Sequence, residues 1–406
     1  MLNRLRETTF AVSRRENGSR TSWHLPGHPA TWMRQSGVWS ISAAATARHG
    51  GQSVNIPAAW DVDRLTSVTV SEGFIAGLPK AELHVHHVGS ASLRVVAELA
   101  ERHPGTVPSD PEELAQFFVF DDFAHFVRNY LSVVALIKTA EDIHSLTYGV
   151  AADMAAHNIR YAELTVTPYI SITDELPAEA FLEAIEDARR AAYRDLGLEL
   201  QWIFDIPADF GMPAAELTAS VALDHEVPAL VGLGVGGSEQ GFPRSMFRDQ
   251  FDRARAAGLH SVPHAGETTG PETIWDALTS LGAERIEHGI SAVDDQRLLE
   301  HLVEHKIALD VCLTSNVALR VVPDLDHHPI RELLSSGVTV TINTDDPPMF
   351  GTDLNTEYAI AARLLDLDAR GLTELAIAAV DASFASPRTK DALRAEISSY
   401  AVTPAP

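Results

Sequence analysis

Four short clusters hold the residues that could do chemistry. His84-Val85-His86 ends an apolar run. Residues two apart on a strand point the same way, so both imidazoles could face one metal ion. Alone, this pair arises often from core packing. His87 points to the opposite side and is not expected to be a ligand. His264-Ala265-Gly266-Glu267 follows a second run, with a possible ligand and a possible proton carrier three residues apart. His288-Gly289 closes a third, and Asn343-Thr344-Asp345-Asp346-Pro347 a fourth. Adjacent carboxylates repel unless a cation or a proton offsets them. One Asp on a metal and the other on a substrate would do so. Three His and one Asp make a nitrogen and oxygen donor set suited to zinc, one ion per chain. Zinc with an open position brings the pKa of its water towards neutrality, which is hydrolytic chemistry.

These clusters need elements to bring them together. Eight short apolar runs are candidate strands: Ala81–His86, Ile159–Thr167, Leu200–Ile206, Ala229–Val235, Leu259–His264, Arg285–His288, Ile307–Cys312 and Val338–Asn343. Helical patterns lie between them, among them Ala91–Arg102, Pro177–Leu196, Pro243–Ala257, Pro271–Leu281, Asp294–His305 and Pro329–Ser336. Eightfold alternation predicts an α/β fold, a (β/α)8 TIM barrel. All four clusters then fall at strand ends, the face where barrel enzymes keep their catalytic groups. The stretch Glu101–Met154, between the first and second strands, predicts a helical insertion over that face. It carries Phe117, Phe118, Phe120, Phe123, Phe126 and Tyr130, either as an aromatic lid lining or as packing against the barrel.

The chain has 406 residues and a net charge of −25. Such acidity repels phosphate backbones and anionic lipid, so neither nucleic acid nor a membrane surface is an expected partner. No apolar run has the length to span a bilayer. A single cysteine, Cys312, excludes an intrachain disulfide and fits a reducing cytoplasm. Residues 1–60 run against the rest, with seven Arg against Glu7 and Glu16. They also hold four Trp and show no sustained period. Residues 1–72 are therefore expected to be a disordered N-terminal extension, or leader upstream of a true start near Val68, and residues 73–400 the catalytic barrel. Intact mass of natively expressed protein tests the leader reading, and a species starting at Met1 overturns it.

With the motifs quoted, the chain resembles the adenosine deaminase family. Leu78-Pro79-Lys80-Ala81-Glu82-Leu83-His84-Val85-His86, the HAGE tetrapeptide from His264, His288-Gly289, Thr314-Ser315-Asn316 and NTDDPPMFGT from Asn343 occur in the family's order. The resemblance runs from about Leu78 to the final helices. It implies a zinc site of His84, His86, His264 and Asp345. It implies that Glu267 protonates purine N1, that His288 orients the nucleophile, and that Asp346 binds the attacking water and N7. A backbone N–H of Gly237 would reach N3, although a tight turn is the other reading of that glycine. The partner implied is a small purine nucleoside. The cytidine-type zinc deaminases need two or three Cys ligands, which one cysteine excludes.

Three departures stand out. The family usually has Asp two residues after the second His, to accept the ribose 5′-hydroxyl. Here that residue is Val88. Burying the hydroxyl without a partner costs about 1–3 kcal/mol. A substrate lacking it avoids that cost, unless another residue, for instance from the lid, accepts the bond. The HHVGSAS stretch is similar to the subgroup acting on 6-aminodeoxyfutalosine, a menaquinone precursor, and that substrate is favoured over adenosine. Glu287 replaces a usual Gly; alternation predicts that it faces the helix layer, with Arg285 as candidate partner. Leu313 replaces a usual Pro. Two other classes compete: a metal hydrolase cleaving an amide or ester, and a non-catalytic barrel that only binds.

Overall fold

The computed structural model describes residues 70–120 and 123–402, together with the backbone of four short N-terminal strands. Those four, Arg15–Glu16, Arg20–His24, Ala30–Gln35 and Val38–Ala43, pair antiparallel in chain order. Of the rest of the expected extension only its last residues, 70–72, are described, with Ser71 capping the helix Glu72–Gly77; the others lie outside the described residues.

Eight parallel strands form a nearly closed barrel. They are β1 (Lys80–His86), β2 (Ile159–Val166), β3 (Glu199–Pro207), β4 (Leu230–Gly236), β5 (His260–Ala265), β6 (Arg285–His288), β7 (Ala308–Val311) and β8 (Val340–Ile342). Each pairs with the next in sequence. Their apolar runs are continuous because both faces are covered, as parallel sheets require. The seam is narrow: Val85 and Asp345 form an isolated parallel bridge. His86 N–H donates to the Asp345 carbonyl (2.8 Å) and Asp345 N–H to the His84 carbonyl (3.2 Å). The Asn343 side-chain oxygen accepts from Leu83 N–H at 2.8 Å and His84 N–H at 3.2 Å. The bonds that close the barrel thus run through its candidate site.

Sequence signals also set the helix ends. The helix Ala178–Leu196 stops at Gly197, whose φ of 70° is the left-handed conformation common at helix C-termini. Asp295 caps the helix Gln296–His305 by accepting from Arg297 and Leu298 N–H. The insertion after β1 is helical, with helices Leu93–Arg102, Pro111–Phe117, Phe123–Val134 and Ala140–Ala156. Its aromatics seat it on the chain beyond β8: Phe126 stacks on Phe350 with centroids 5.2 Å apart, and Phe120 lies edge-on to the same ring. The side chain of Phe123 lies outside the described residues.

The barrel interior is polar. Arg285 Nε donates to Asp310 Oδ2 and Arg285 Nη2 to Glu163 Oε2, both at 2.5 Å, with all three residues buried. Tyr161 and Thr341 hydroxyls donate to Glu163 and Asp310. A buried charge is tolerated when it is paired and its remaining donors are used. Among the described residues, no helix is long and apolar enough to cross a membrane.

Candidate active site

Alternation along β1 turns His84 inward, and its neighbours fix its ring. Nδ1 lies 3.2 Å from the Asp310 carbonyl, an acceptor, so Nδ1 carries the proton. Nε2 is then a bare lone pair, buried and without a hydrogen-bond partner. Asp345 Oδ1 lies 3.7 Å from it. His86 Nε2 lies 3.2 Å from the same oxygen and 3.2 Å from His264 Nε2. The Ser315 hydroxyl donates to Asp345 Oδ2 at 2.6 Å and fixes that carboxylate. Two metal-competent groups overlap here, His84 with His264, His288 and Asp345, and His86 with Asp345 and Asp346. The four ligands expected from sequence straddle both. Metal bonds of about 2.0–2.1 Å place tetrahedral ligands roughly 3.3–3.4 Å apart. The separations of 3.2 and 3.7 Å are close to that edge. Together with the orphaned His84 lone pair, they fit a small divalent cation. His87 points outward as expected, to the Thr147 hydroxyl at 2.8 Å.

Two acids flank the donor set. Glu267 follows β5, and its Oε1 is buried without a hydrogen-bond partner, 3.7 Å from His288 Nε2. Burial first, then the Asp345 and Glu239 charges, push its carboxyl well above the usual range. Asp346 Oδ1 is likewise buried and unpartnered. Burial works against charge on Asp345, but His86 and His84 outweigh it and hold that carboxyl well below the usual range. Burial and the Asp345 charge next door push Asp346 well above it. Gly89 makes room for Asp346: a Cβ there would lie 1.5 Å from Asp346 Oδ1. Gly237 has φ of 79°, and a Cβ there would lie 2.4 Å from Asp209 Oδ2. At Gly89 the missing Cβ leaves space that Asp346 fills, and at Gly237 space that Asp209 fills. Val88 is buried in the loop after β1, so the position holds no carboxylate acceptor.

Sequence reasoning missed several supports. Glu239 accepts from Gly266, Thr268 and Thr269 N–H and from the Thr268 hydroxyl, at 2.5 to 2.9 Å. It ties down the loop that carries Glu267. Asp209 accepts from Ser238 N–H at 2.8 Å and holds the Gly237 turn. Asp205, at the end of β3, is buried beside His264, with Oδ1 unpartnered. Tyr130, already singled out among the aromatics of the insertion, is buried within reach of the site, where burial and then Asp346, Asp205 and Asp345 raise its pKa. Thr314-Ser315-Asn316 was legible as a motif but not as a set of contacts.

One expectation is corrected. Glu287 does not face the helix layer, and Arg285 is engaged with Glu163 and Asp310 instead. Its carboxylate is inside the barrel, 2.6 Å from His264 Nδ1 but not aligned for a hydrogen bond. The Thr165 hydroxyl donates to it at 3.3 Å. His288 follows with φ of 64°. This left-handed residue breaks strand alternation, so consecutive side chains both turn inward. Leu313, which replaces a usual Pro, gives its N–H to Glu357 Oε2 at 3.0 Å.

The adenosine deaminase family model matches residues 79–400. The chain belongs to the adenosine deaminase family. It is 60% identical over 330 residues to the aminodeoxyfutalosine deaminase of Streptomyces avermitilis, covering 80% of this chain and 92% of that one. The aminodeoxyfutalosine deaminase of Streptomyces coelicolor is 58% identical over 330 residues, covering 80% and 85%. Adenine deaminase from Arthrobacter aurescens has a similar structure, with TM-score 0.74 and 31% identity over 80% of this chain and 99% of that one. Family and fold together support a hydrolytic deaminase.

Proposed function

We propose that this family member is a zinc-dependent aminohydrolase of 6-aminopurine nucleosides, with aminodeoxyfutalosine as its favoured substrate. The observation that carries the reading is the pair of buried, unpartnered oxygens, Glu267 Oε1 and Asp346 Oδ1, flanking a four-donor set. His84, His86, His264 and Asp345 would hold the ion. Zinc there supplies Lewis-acid activation of water.

The remaining chemistry belongs to the side chains. Glu267, whose carboxyl burial pushes well above the usual range, delivers its proton to purine N1, which makes C6 electrophilic. His288 Nε2, 3.7 Å from Glu267, faces the attacking water and charge developing on its oxygen. Asp346, inclined to hold a proton, suits a bond to N7. Gly237 would offer its backbone N–H to N3. The water oxygen bonds to C6 and one water proton replaces the one that Glu267 gave to N1; the remaining hydroxyl proton passes to the amino nitrogen, the C6–N bond breaks, and the amine leaves as ammonia while N1 keeps its proton.

The substrate reading rests on two supports. Val88 offers no acceptor for a ribose 5′-hydroxyl, and the Streptomyces relatives act on aminodeoxyfutalosine. That substrate would put the chain in menaquinone formation, and the single Cys312, buried and unpaired, fits a reducing cytoplasm. Adenosine is the alternative. The test is kcat/KM for both compounds on zinc-loaded protein, followed by ultraviolet absorbance. A preference for aminodeoxyfutalosine of tenfold or more, about 1.4 kcal/mol, supports the reading, and a preference for adenosine overturns the substrate assignment. Val88→Asp should then raise activity on adenosine relative to aminodeoxyfutalosine.

A further inference from the structure

His288 has a polar neighbour on the side away from Glu267. Its Nδ1 lies 3.3 Å from Asn316 Nδ2, in the helix Leu313–Ala318 after β7. Asn316 Oδ1 lies 3.1 Å from His328 Nε2. His328 Nδ1 lies 3.1 Å from Ile330 N. All three side chains are buried.

One group in this chain has no freedom. A backbone N–H can only donate, so Ile330 makes His328 Nδ1 an acceptor. A neutral His328 must then carry its proton on Nε2. Burial drives its pKa down to about 4, which keeps it neutral. Nε2–H donates to Asn316, so the amide oxygen must face His328 and the NH2 must face His288. The NH2 donates to His288 Nδ1. That nitrogen is therefore an acceptor, and the His288 proton sits on Nε2, towards Glu267 and Asp345. A protonated His288 would set N–H against N–H at Nδ1, so the same chain disfavours the imidazolium.

We infer that His328 and Asn316 are positioning residues that set the His288 tautomer, keeping Nε2–H as a donor towards the attacking water. They touch no reacting atom and act through His288. The inference rests on the function proposed above for His288. It also separates His288 from the other members of the group that could hold an ion: a nitrogen that bears a proton has no lone pair for one, whereas His84 Nε2 does.

The chain starts from a donor, so the test swaps donors for non-donors. In zinc-loaded enzyme, His328→Leu leaves the Asn316 oxygen unheld. The amide can then turn and present that oxygen to Nδ1, which favours the wrong tautomer. A fall in kcat of roughly 10²-fold is expected, with KM within about twofold and zinc content unchanged. His328→Gln keeps an N–H donor and should restore most of kcat. Asn316→Asp offers only acceptors to Nδ1 and should fall like His328→Leu. Histidine labelled with 15N at both ring nitrogens reports which His288 nitrogen bears the proton, and that proton should shift from Nε2 to Nδ1 in the Leu variant. A folded, zinc-loaded His328→Leu with wild-type kcat overturns the inference, as does a Gln variant as slow as Leu, which would mean that packing alone matters. If the wild-type enzyme itself deaminates no aminopurine nucleoside, the functional proposal fails instead. The 15N signature in His328→Leu then still decides the tautomer.

Discussion

Gly89→Ala tests the Asp346 assignment without touching its carboxylate. The added Cβ would lie 1.5 Å from Asp346 Oδ1, 2.4 Å from Cγ and 2.9 Å from Cβ. Ordinary contact begins near 3.4 Å. The carboxylate must therefore retreat by about 2 Å, and misplacement of 1 Å at a reacting centre costs about 10²-fold. Gly89 carries no left-handed φ, so alanine fits the backbone, and the atoms that yield belong to one short side chain. The expected result is a folded, zinc-loaded protein with kcat down by 10²-fold or more. The decisive assay is a cycle with Asp346→Ala, following deamination by absorbance. If Gly89 acts only by placing Asp346, alanine at 89 should change little once the carboxylate is gone. Equal losses in both backgrounds, or a Gly89→Ala enzyme with wild-type kcat, would refute the argument.

The other expectations concern proton, loop and core. Glu267 must be protonated to donate, and its pKa is raised, so kcat/KM should hold below that pKa and fall as pH rises through it. Glu267→Gln should lose about 10²- to 10⁴-fold in kcat with zinc retained, and undiminished turnover would remove the role. Glu239→Ala frees three backbone N–H groups and the Thr268 hydroxyl, so kcat should fall at least tenfold while zinc content stays, since each bond to a charged acceptor is worth about 1.5–3 kcal/mol. Arg285→Met strands Glu163 and Asp310 and should cost about 3–5 kcal/mol in urea unfolding; a loss under 1 kcal/mol would show that protonation of the two acids makes up the difference.

The barrel was legible because it repeats one signal eight times. Strand boundaries agree within two residues, from Ala81 against Lys80 at the first to Val338 against Val340 at the last. Apolar runs buried on both faces admit little else once helices separate them. The residues of the buried His and Asp cluster were legible because two of them sit on one strand at even spacing, and the others lie at or just beyond the ends of further strands. Contacts made across the barrel were not. Glu239 serves a loop 27 residues further on, and His328 reaches His288 only through Asn316. No local spacing encodes such partners, and each polar residue read alone is a solvated loop residue.

The failure over Glu287 has a different origin. Period-two reasoning assumes extended backbone, and it fails at a residue in the left-handed region. His288 and Asp345 both occupy it, with φ of 64° and 67°. For a non-glycine residue that conformation costs roughly 1–2 kcal/mol. It persists where surrounding contacts over-determine it, and such places cluster at functional sites. Here the contacts are visible. Asp345 exchanges backbone bonds with His84 and His86 across the seam, and His288 is held by Asn316. Without the turn at 288, either Glu287 or His288 could face the interior, but not both. The strained residue lets one strand end supply an acid beside His264 and a histidine towards Glu267. The sequence hint was the glycine after the histidine: Gly289 also has positive φ, at 71°, and a Cβ there would lie 2.6 Å from Leu309. A His-Gly pair ending a buried strand therefore predicts a break in alternation one residue early.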